Sequence, residues 1–458
     1  MSEKEAAARI QESNRDECYE KHVNPQWVRL LDVLQMNVEY VRCQGAELFT
    51  SDDRRLLDFI SGYCVHNAGH NHPRIIAALK DELDRCGPEM LQSHVSAEAG
   101  ELAARLCALA GGKLTRAFFA NSGSEGIETV IKFARAHTKR DGLLYAEGGF
   151  HGLTCGALSL MSSPFWKAGF GPMLPGTEPV RFGDLDSLAK RLKTERYAAF
   201  IVEPIQAETG VIVPDTGYLR AVQDLCNRTG TLFVLDEVQT GLGRAGRFLA
   251  AHHFGVQPDM VVLAKALSGG LVPIGAVLMT GEISDSVYSS LQRAVIHTST
   301  YSENGLAMRA GLATLDVLEE EDLAARAAAL GAMLRARLQE ELANYEMVGE
   351  IRGLGLLNAL AFKPPRSLKL RIPFEAFTRI HAAMFGQTVV MRLFRAGILS
   401  QICGNNFMVL KIAPPLVVTE AQLEEYIATL REVVHLMHSS GSFWTEALGI
   451  ARRVIKIV

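Results

Sequence analysis

The sequence lacks three features that would each indicate a particular class of protein. It has no block of basic residues and a net charge of −4, which excludes the long-range positive field that nucleic-acid binding requires. It has no run of eighteen apolar residues, so no segment is expected to span a membrane. Its eight cysteines never form a CxxC pair, which favours reduced thiols over a disulfide framework or a thiolate zinc site and indicates a cytoplasmic location.

Residues 1–16 are charged and also lack the apolar core that a secretory signal would need. Apolar residues make up 48% and charged residues 21% of the chain, proportions typical of a folded protein. Because 458 residues exceed one ordinary core, we expect two or three lobes that each bury their own apolar surface.

Short apolar runs alternate with amphipathic segments through the middle of the chain. The runs are residues 117–120, 198–202, 231–235, 260–263 and 275–279. We interpret them as buried parallel strands, and the helical spacing of apolar residues in 126–137 as a crossover helix. The pattern predicts an α/β layer fold. A small strand unit is expected in 40–60, a long helix in 319–345, and an α+β lobe after it.

Four of the five runs are followed by residues that can carry chemistry. Open α/β sheets bind ligands at the carboxyl ends of their strands. The sequence NSGSEG at 121–126 leads from a strand into a helix through small residues, so its backbone amides and the positive helix end predict an anion site. Carboxylates follow the next two runs: Glu203 and Glu208 follow one, and Asp236 follows the other.

The fourth run is followed by Lys265, which lies in the apolar and glycine-rich sequence LAKALSGG. Burial favours the neutral amine and is expected to lower its pKa into the range where it acts as a nucleophile. A phosphate site, a buried aspartate and a desolvated lysine are together what pyridoxal phosphate (PLP) requires: an anchor, a counter-ion for the ring nitrogen and an amine for the aldehyde.

Seven motifs occur in one order along the chain: NSGSE, FHG, EPIQ, DEVQTG, LAKALSGG, TY and APPL. This series resembles the class III aminotransferases of PLP fold type I, and within them the ornithine, acetylornithine and putrescine aminotransferases, over about residues 25–434. The resemblance implies an α/β fold with a large domain built on a mainly parallel, seven-stranded-type sheet and a small α+β domain. We expect the large PLP-binding domain at 76–335, an N-terminal segment at 1–75 that contributes to the small domain, and the C-terminal small domain at 336–458.

The resemblance also implies how the phosphate is held. Gly123 and Ser124 would bind it, and Thr300 would reach the phosphate of the neighbouring subunit. The expected active unit is therefore a homodimer with its active site at the interface.

Around the ring, the resemblance places Phe150 on one face and Val238 on the other. Asp236 would pair with the ring nitrogen and Gln239 would hydrogen-bond the phenolic oxygen. Lys265 would hold the cofactor as a Schiff base and, once displaced by a substrate amine, move a proton as general acid and base. These residues imply a transaminase that acts on an amine donor and a carbonyl acceptor.

At two positions where relatives carry arginines that bind substrate carboxylates, this chain has Leu153 and Lys411 instead. A lysine lacks the planar fork of arginine, so it is not an equivalent clamp. We therefore favour a primary amine or ω-amino compound with an apolar or polyol body. Glu208 and Tyr63 are candidates for the substrate region, and pairing with Glu208 is an alternative role for Lys411.

Two further functions remain open at this point: an aminotransferase for a lipid-like, hopanoid-type amine, and an aminomutase of the same fold. A third, a nucleotide-binding dehydrogenase, would rest on the GxGxxG match at 241–246, which we assign instead to the loop after DEVQT. His66, His70 and His72 are interpreted as a structural turn and not as metal ligands. The apolar stripe of 442–458, which includes Trp444, suits packing on its own domain or on a partner better than a membrane surface.

Overall fold

The computed structural model of the protein describes residues 15–91, 93–380, 383–439, 441 and 443–445. Its strands are β1 Tyr40–Gln44, β2 Glu47–Thr50, β3 Arg55–Asp58, β4 Arg116–Ala120, β5 Gly142–Ala146, β6 Thr177–Val180, β7 Tyr197–Val202, β8 Leu232–Asp236, β9 Met260–Leu263, β10 Gly275–Met279, β11 Val348–Leu354, β12 Leu357–Phe362, β13 Ile398–Leu399, β14 Gln401–Cys403 and β15 Asn406–Ile412. Its α-helices are α1 Arg15–His22, α2 Pro25–Leu34, α3 Ser61–Cys64, α4 Pro73–Arg85, α5 Ala97–Ala110, α6 Gly123–Thr138, α7 Cys155–Ser159, α8 Pro164–Lys167, α9 Leu185–Leu192, α10 Tyr218–Thr229, α11 Ala251–Phe254, α12 Gly281–Val287, α13 Gly305–Glu320, α14 Leu323–Leu342, α15 Leu368–Ile380, α16 Met384–Arg395 and α17 Glu420–Ser439.

A seven-stranded sheet in the order β4-β10-β9-β8-β7-β5-β6 forms the centre of the fold. The five predicted runs are all strands of this sheet, but the prediction that all of them are parallel was wrong for β10. That strand pairs antiparallel with both β9 and β4. The connection from β9 to β10 carries only a 3-10 turn, Lys265–Ser268, and no crossover helix, so it cannot return the chain for a parallel pairing.

The central sheet is buried on both faces, which explains why its strands are continuous apolar runs. Along β5 the side chains alternate between two hydrophobic clusters: Leu143 and Tyr145 enter one, and Leu144 and Ala146 enter the other. Helix α6 covers one face and contacts β7, β9 and β10, while α10 contacts β8. The carboxyl ends of the parallel strands are thereby fixed at one edge.

The helix predicted at 126–137 is confirmed, and it begins earlier because Ser122 caps it by accepting a hydrogen bond from Glu125 N at 3.2 Å. The long helix predicted in 319–345 is confirmed as α14, but it begins later than predicted. The chain breaks between α13 and α14, where Asp322 has a φ of 45°. Aspartate tolerates this left-handed conformation better than most residues, and its periodic apolar surroundings conceal the break from a pattern-based prediction.

The strand unit predicted in 40–60 is confirmed as β1, β2 and β3, and β13 from the C-terminal part of the chain joins its edge parallel to β3. A third sheet, β11-β12-β15-β14, carries helices from the last part of the chain. Of the apolar stripe predicted in 442–458, the structure describes only 443–445, and there Trp444 packs on Phe385 with ring centroids 6.3 Å apart. The rest of that stripe lies outside the described residues. None of the helices within the described ranges has the length and apolarity needed to cross a bilayer.

The GxGxxG segment at 241–246 has a structural role through Arg244, which is completely buried. Its guanidinium donates to Asn67 Oδ1 at 2.7 Å, to the Leu356 carbonyl at 3.0 Å and to the Pro414 carbonyl. Gly243 and Gly246 have φ values of 86° and 90°, so the loop is a series of tight turns. It leads into the four-residue helix α11 and not into the long helix of a dinucleotide-binding unit.

Candidate active site

One cavity of about 540 Å³ lies at the carboxyl ends of the parallel strands. It collects most of the residues that the sequence predicts for the cofactor. These are Gly123, Ser124, Phe150, Asp236, Val238, Gln239 and Lys265. Thr300, Tyr63, Leu153, Glu208 and Lys411 are not among its lining residues.

The anion end of the cavity is the start of α6. The first amides of a helix have no partner within the helix, and Gly123 and Ser124 occupy its first two positions. Ser124 Oγ also accepts a hydrogen bond from Leu153 N at 3.0 Å, which leaves its own proton free to bind an anion. A Cβ on Gly123 would come within 2.9 Å of Val238 Cγ2, so this position between the anion end of the cavity and Val238 requires glycine.

Asp236 terminates β8 at the opposite end of the cavity. Its Oδ2 lies 2.8 Å from His151 Nδ1, and its Oδ1 accepts a hydrogen bond from Val238 N at 3.1 Å. Burial opposes a charge on His151, but the hydrogen bond and the charges of Asp236 and Glu203 outweigh it and raise the pKa of the histidine. The sequence motif FHG contained His151, yet nothing in the linear pattern assigned it to Asp236.

Phe150 is positioned by its own backbone. Its N–H donates to Glu203 Oε1 at 2.9 Å, while Glu203 Oε2 accepts from Ala207 N at 3.1 Å. Burial raises the pKa of Glu203 to about 7. Glu203 is therefore a structural support for Phe150.

Lys265 follows β9 directly and has a φ of 49°, a conformation that non-glycine residues rarely adopt. Burial lowers the pKa of its amine, an effect that Lys411 reinforces and that Cys64, Glu208 and Asp236 oppose. Within the described part of the chain its amine makes no hydrogen bond. A strained backbone that holds an amine of lowered pKa at the cavity suits a nucleophile.

A polar cluster lies beside Lys265. Gln239 Nε2 donates to Glu208 Oε1 at 3.1 Å, and the fully buried Lys411 Nζ forms an ion pair with the same carboxylate oxygen. The attraction of Glu208 outweighs burial and raises the pKa of Lys411, and Lys411 in turn lowers the pKa of Glu208 against the effect of burial. The ring of Tyr63, 44% exposed, has its centroid 5.3 Å from Lys411 Nζ. The alternative that Lys411 pairs with Glu208 is therefore what the structure shows.

Two predicted residues lie on the surface of the subunit. Leu153 is 53% exposed, and Thr300 is exposed in a turn whose neighbour Ser299 accepts a hydrogen bond from Asn121 Nδ2 at 3.0 Å. Asn121 lines the cavity, so the 299–301 segment is tied to the phosphate end without placing Thr300 inside the cavity of its own subunit.

The histidines of the HxxxHxH turn make separate contacts. His70 Nε2 lies 2.8 Å from Asp58 Oδ2, His72 Nε2 lies 3.1 Å from Glu321 Oε1, and the ring of His66 stacks on that of His70. Over the ranges that the structure describes, no three His, Cys, Asp or Glu side chains are grouped so that they could hold a metal ion.

The residues of the cavity fit PLP. The first amides of α6 suit its phosphate, the Asp236 carboxylate suits a protonated ring nitrogen, and the Lys265 amine suits its aldehyde. The side-chain oxygen of Gln239 is buried and has no partner among the described residues, so a polar group of the ligand beside it would satisfy it. The fold and the cavity thus define a PLP-dependent enzyme.

Comparison with known proteins specifies the family. The aminotransferase class-III family matches residues 31–434, and the chain belongs to that family. The aminotransferase PigE of a Serratia species is 34% identical over 91% of this chain, although the chain spans only 52% of the length of PigE. The putrescine aminotransferase of Pectobacterium atrosepticum is 36% identical over 92% of this chain and 89% of its own.

The same relationship holds in three dimensions. The ornithine aminotransferase of Toxoplasma gondii, whose structure contains PLP at partial occupancy in its active site, superposes with a TM-score of 0.82 at 30% identity. The similarity covers 96% of this chain and 99% of that one. The predicted family, the α/β fold, the transaminase class and the cofactor PLP are therefore confirmed.

Proposed function

We propose that this enzyme transfers the amino group of a primary amine or ω-amino compound to a keto acid or an aldehyde, with Lys265 as the catalytic residue. The observation that carries the substrate class is the buried ion pair between Lys411 and Glu208 beside the Lys265 amine. A lysine neutralised in this way is not available to bind a substrate carboxylate. Leu153, which follows the cavity-lining residue Gly152, likewise offers no charge to a substrate carboxylate.

The chemistry that bound PLP supplies is an aldehyde for the substrate amine and a protonated ring that accepts the electron pair released at Cα. The residues of this chain do the rest. Asp236, held by His151, would keep the proton on the ring nitrogen, and Phe150 and Val238 would hold the ring between them. Gly123 and Ser124 would bind the phosphate and so fix its distance to Lys265. The Lys265 amine, whose pKa burial lowers, would take the proton from substrate Cα.

The proposal includes a cytoplasmic homodimer with Thr300 reaching the phosphate site of the partner subunit. Two described parts of the chain support it because they expose large apolar side chains. Leu91 is 59% and Val95 91% exposed in one, and Leu291 is 92% and Val295 76% exposed in the other. Apolar residues grouped in this way mark an interaction surface. The eight cysteines form no disulfide in the part of the chain that the structure describes, which supports a reducing compartment. We also retain the domain boundaries at about residues 75 and 335 as part of the proposal.

A half-reaction screen tests the function. The purified enzyme, loaded with PLP, is mixed with one amine at a time, and the visible absorbance of lysine-bound PLP is followed as it converts to the pyridoxamine form. We expect putrescine, 4-aminobutyrate or apolar monoamines to react faster than glutamate or alanine. Lys265→Ala should abolish the starting absorbance, whereas a spectrum that survives this substitution would contradict the role of Lys265.

The same screen separates the alternatives. A long-chain amine that reacts fastest would indicate a lipid-like substrate. An aminomutase would regenerate its starting form with a single substrate, and the pyridoxamine form would not accumulate with an amine donor alone.

A further inference from the structure

Trp166 lies between the ring-stacking residue and the polar cluster, although the sequence motifs do not include it. It is on the short helix α8, and its indole meets the ring of Phe150 edge-on, with centroids 5.5 Å apart and planes at 82°. Its Nε1 donates to Asn405 Oδ1 at 3.1 Å. The indole is therefore held at both ends, by a ring contact on one side and a hydrogen bond on the other.

The turn that holds the indole is itself bound to Glu208. Gly404 N donates to Glu208 Oε2 at 2.9 Å, and Asn405 N donates to the Glu208 carbonyl at 2.9 Å. Asn405 Nδ2 also donates to the Gly148 carbonyl at 3.1 Å. Because α8 lies between β5 and β6 of the central sheet and the turn joins β14 to β15 of the third sheet, these bonds connect two parts of the fold.

The distance from Trp166 to the polar cluster follows from Gly404. A Cβ built on Gly404 would lie 3.1 Å from Glu208 Oε2 and 4.0 Å from Trp166 Cζ2. A methyl group on Gly404 would therefore touch both the six-membered ring of the indole and the carboxylate that pairs with Lys411. The indole therefore lies between Phe150, which lines the cavity, and Glu208, whose charge acts on the Lys265 amine.

We infer that Trp166 is a specificity-determining residue that forms the apolar wall of the substrate space and limits the bulk of the amine substituent. The inference rests on the proposed amine-transaminase function and specifies its substrate class. A flat indole held by Asn405 accepts an unbranched carbon chain alongside it and excludes a branched or bicyclic one. The neutralised Lys411–Glu208 pair next to it adds no net charge, so the accepted substituent is uncharged where it passes the indole.

The test uses PLP-loaded enzyme and a series of primary amines of increasing bulk, from n-butylamine through cyclohexylamine to 1-(1-naphthyl)ethylamine. We expect Trp166→Ala to raise kcat/KM for the bulkiest amine relative to n-butylamine by about tenfold or more, mainly through KM, since contacts of one or a few methylenes in an apolar pocket discriminate by that order. Trp166→Phe should keep most of the wild-type order of the amines in kcat/KM. Trp166→Leu is a second variant that fills more of the space if Trp166→Ala does not fold.

Phe170→Ala is the matched control, because Phe170 is an aromatic residue in the same segment that is 67% exposed. It should leave both the cofactor absorbance and the order of the amines unchanged. If every Trp166 variant binds PLP and keeps the wild-type order, the inference is overturned while the transaminase function stands. If the unmodified protein forms no lysine-bound PLP and converts no amine, both the function and the inference that rests on it fail.

Discussion

His151 Nδ1 and Asp236 Oδ2 are 2.8 Å apart, and their side chains are 0% and 5% exposed. The second carboxylate oxygen of Asp236 is held by Val238 N, so the whole carboxylate has one orientation at the end of β8. A fixed, buried anion at this end of the cavity is what a protonated ring nitrogen requires, and the low local dielectric strengthens the hydrogen bonds that hold it.

We expect Asp236→Asn, which is isosteric, to reduce the single-turnover rate with a good amine by about 10²–10³, the size of effect that follows loss of one preorganised electrostatic group. His151→Gln should reduce the rate by less, because Asp236 keeps its charge and its bond to Val238 N. Stopped-flow absorbance of the half-reaction measures both rates. An unchanged rate in Asp236→Asn would show that this carboxylate does not act on the cofactor.

The Lys411–Glu208 pair provides a stability prediction. Lys411→Met leaves the Glu208 carboxylate buried without its cation and should lower the free energy of unfolding by about 3–5 kcal/mol. In the double variant Lys411→Met, Glu208→Gln, most of that loss should be recovered, since no uncompensated charge remains. Urea denaturation of the wild type, Lys411→Met, Glu208→Gln and the double variant, each saturated with PLP, measures the coupling. Equal losses in the single and double variants would contradict it.

His297 should make the protein less stable in acid. Burial, and secondarily Lys132 at 2.6 Å from Nδ1, lower the pKa of His297 from 6.5 to about 4. Below pH 6.5 the His297 imidazole is protonated in the unfolded chain but not in the folded protein. Its contribution to the free energy of unfolding is therefore fully present above pH 6.5 and is lost as the pH falls toward 4. Urea midpoints between pH 7 and 4 measure the fall.

The variant His297→Gln should reduce this fall, because glutamine does not titrate. Part of the fall should remain, since burial and His70 also lower the pKa of His66 to about 4. Lys132→Met should also make the stability less dependent on pH, because it removes one of the two causes of the lowered pKa of His297. An identical pH dependence in all three proteins would exclude His297 as a source.

Gly123→Ala tests the close contact between the start of α6 and Val238. Its Cβ would approach Val238 to 2.9 Å, so Val238 or α6 must shift, and we expect at least a tenfold weaker PLP affinity, which costs about 1.4 kcal/mol. Gly100→Ala is the matched control: it lies in helix α5 with open space around it and should stabilise the protein by about 0.5–1 kcal/mol without changing PLP affinity. Titration of each apoprotein with PLP, followed by absorbance, gives both affinities.

The five central strands and the residues that follow them could be predicted because apolar runs and helical spacing are local properties of the chain. The direction of β10 could not, since an antiparallel return after Lys265 depends on the length and content of the connection. The break at Asp322 could not be predicted either, because apolar residues keep their helical spacing on both sides of it.

The cofactor chemistry could be inferred from the linear chain, because parallel strands bring their carboxyl ends to one edge and so gather Gly123, Asp236 and Lys265. The distant side chains that complete the site became visible only in the folded protein. Lys411 and Glu208 are 203 positions apart, and Trp166 and Asn405 are 239 apart. Periodicity along the chain carries no information about such pairs, since they form only when the third sheet packs against the loops of the central one.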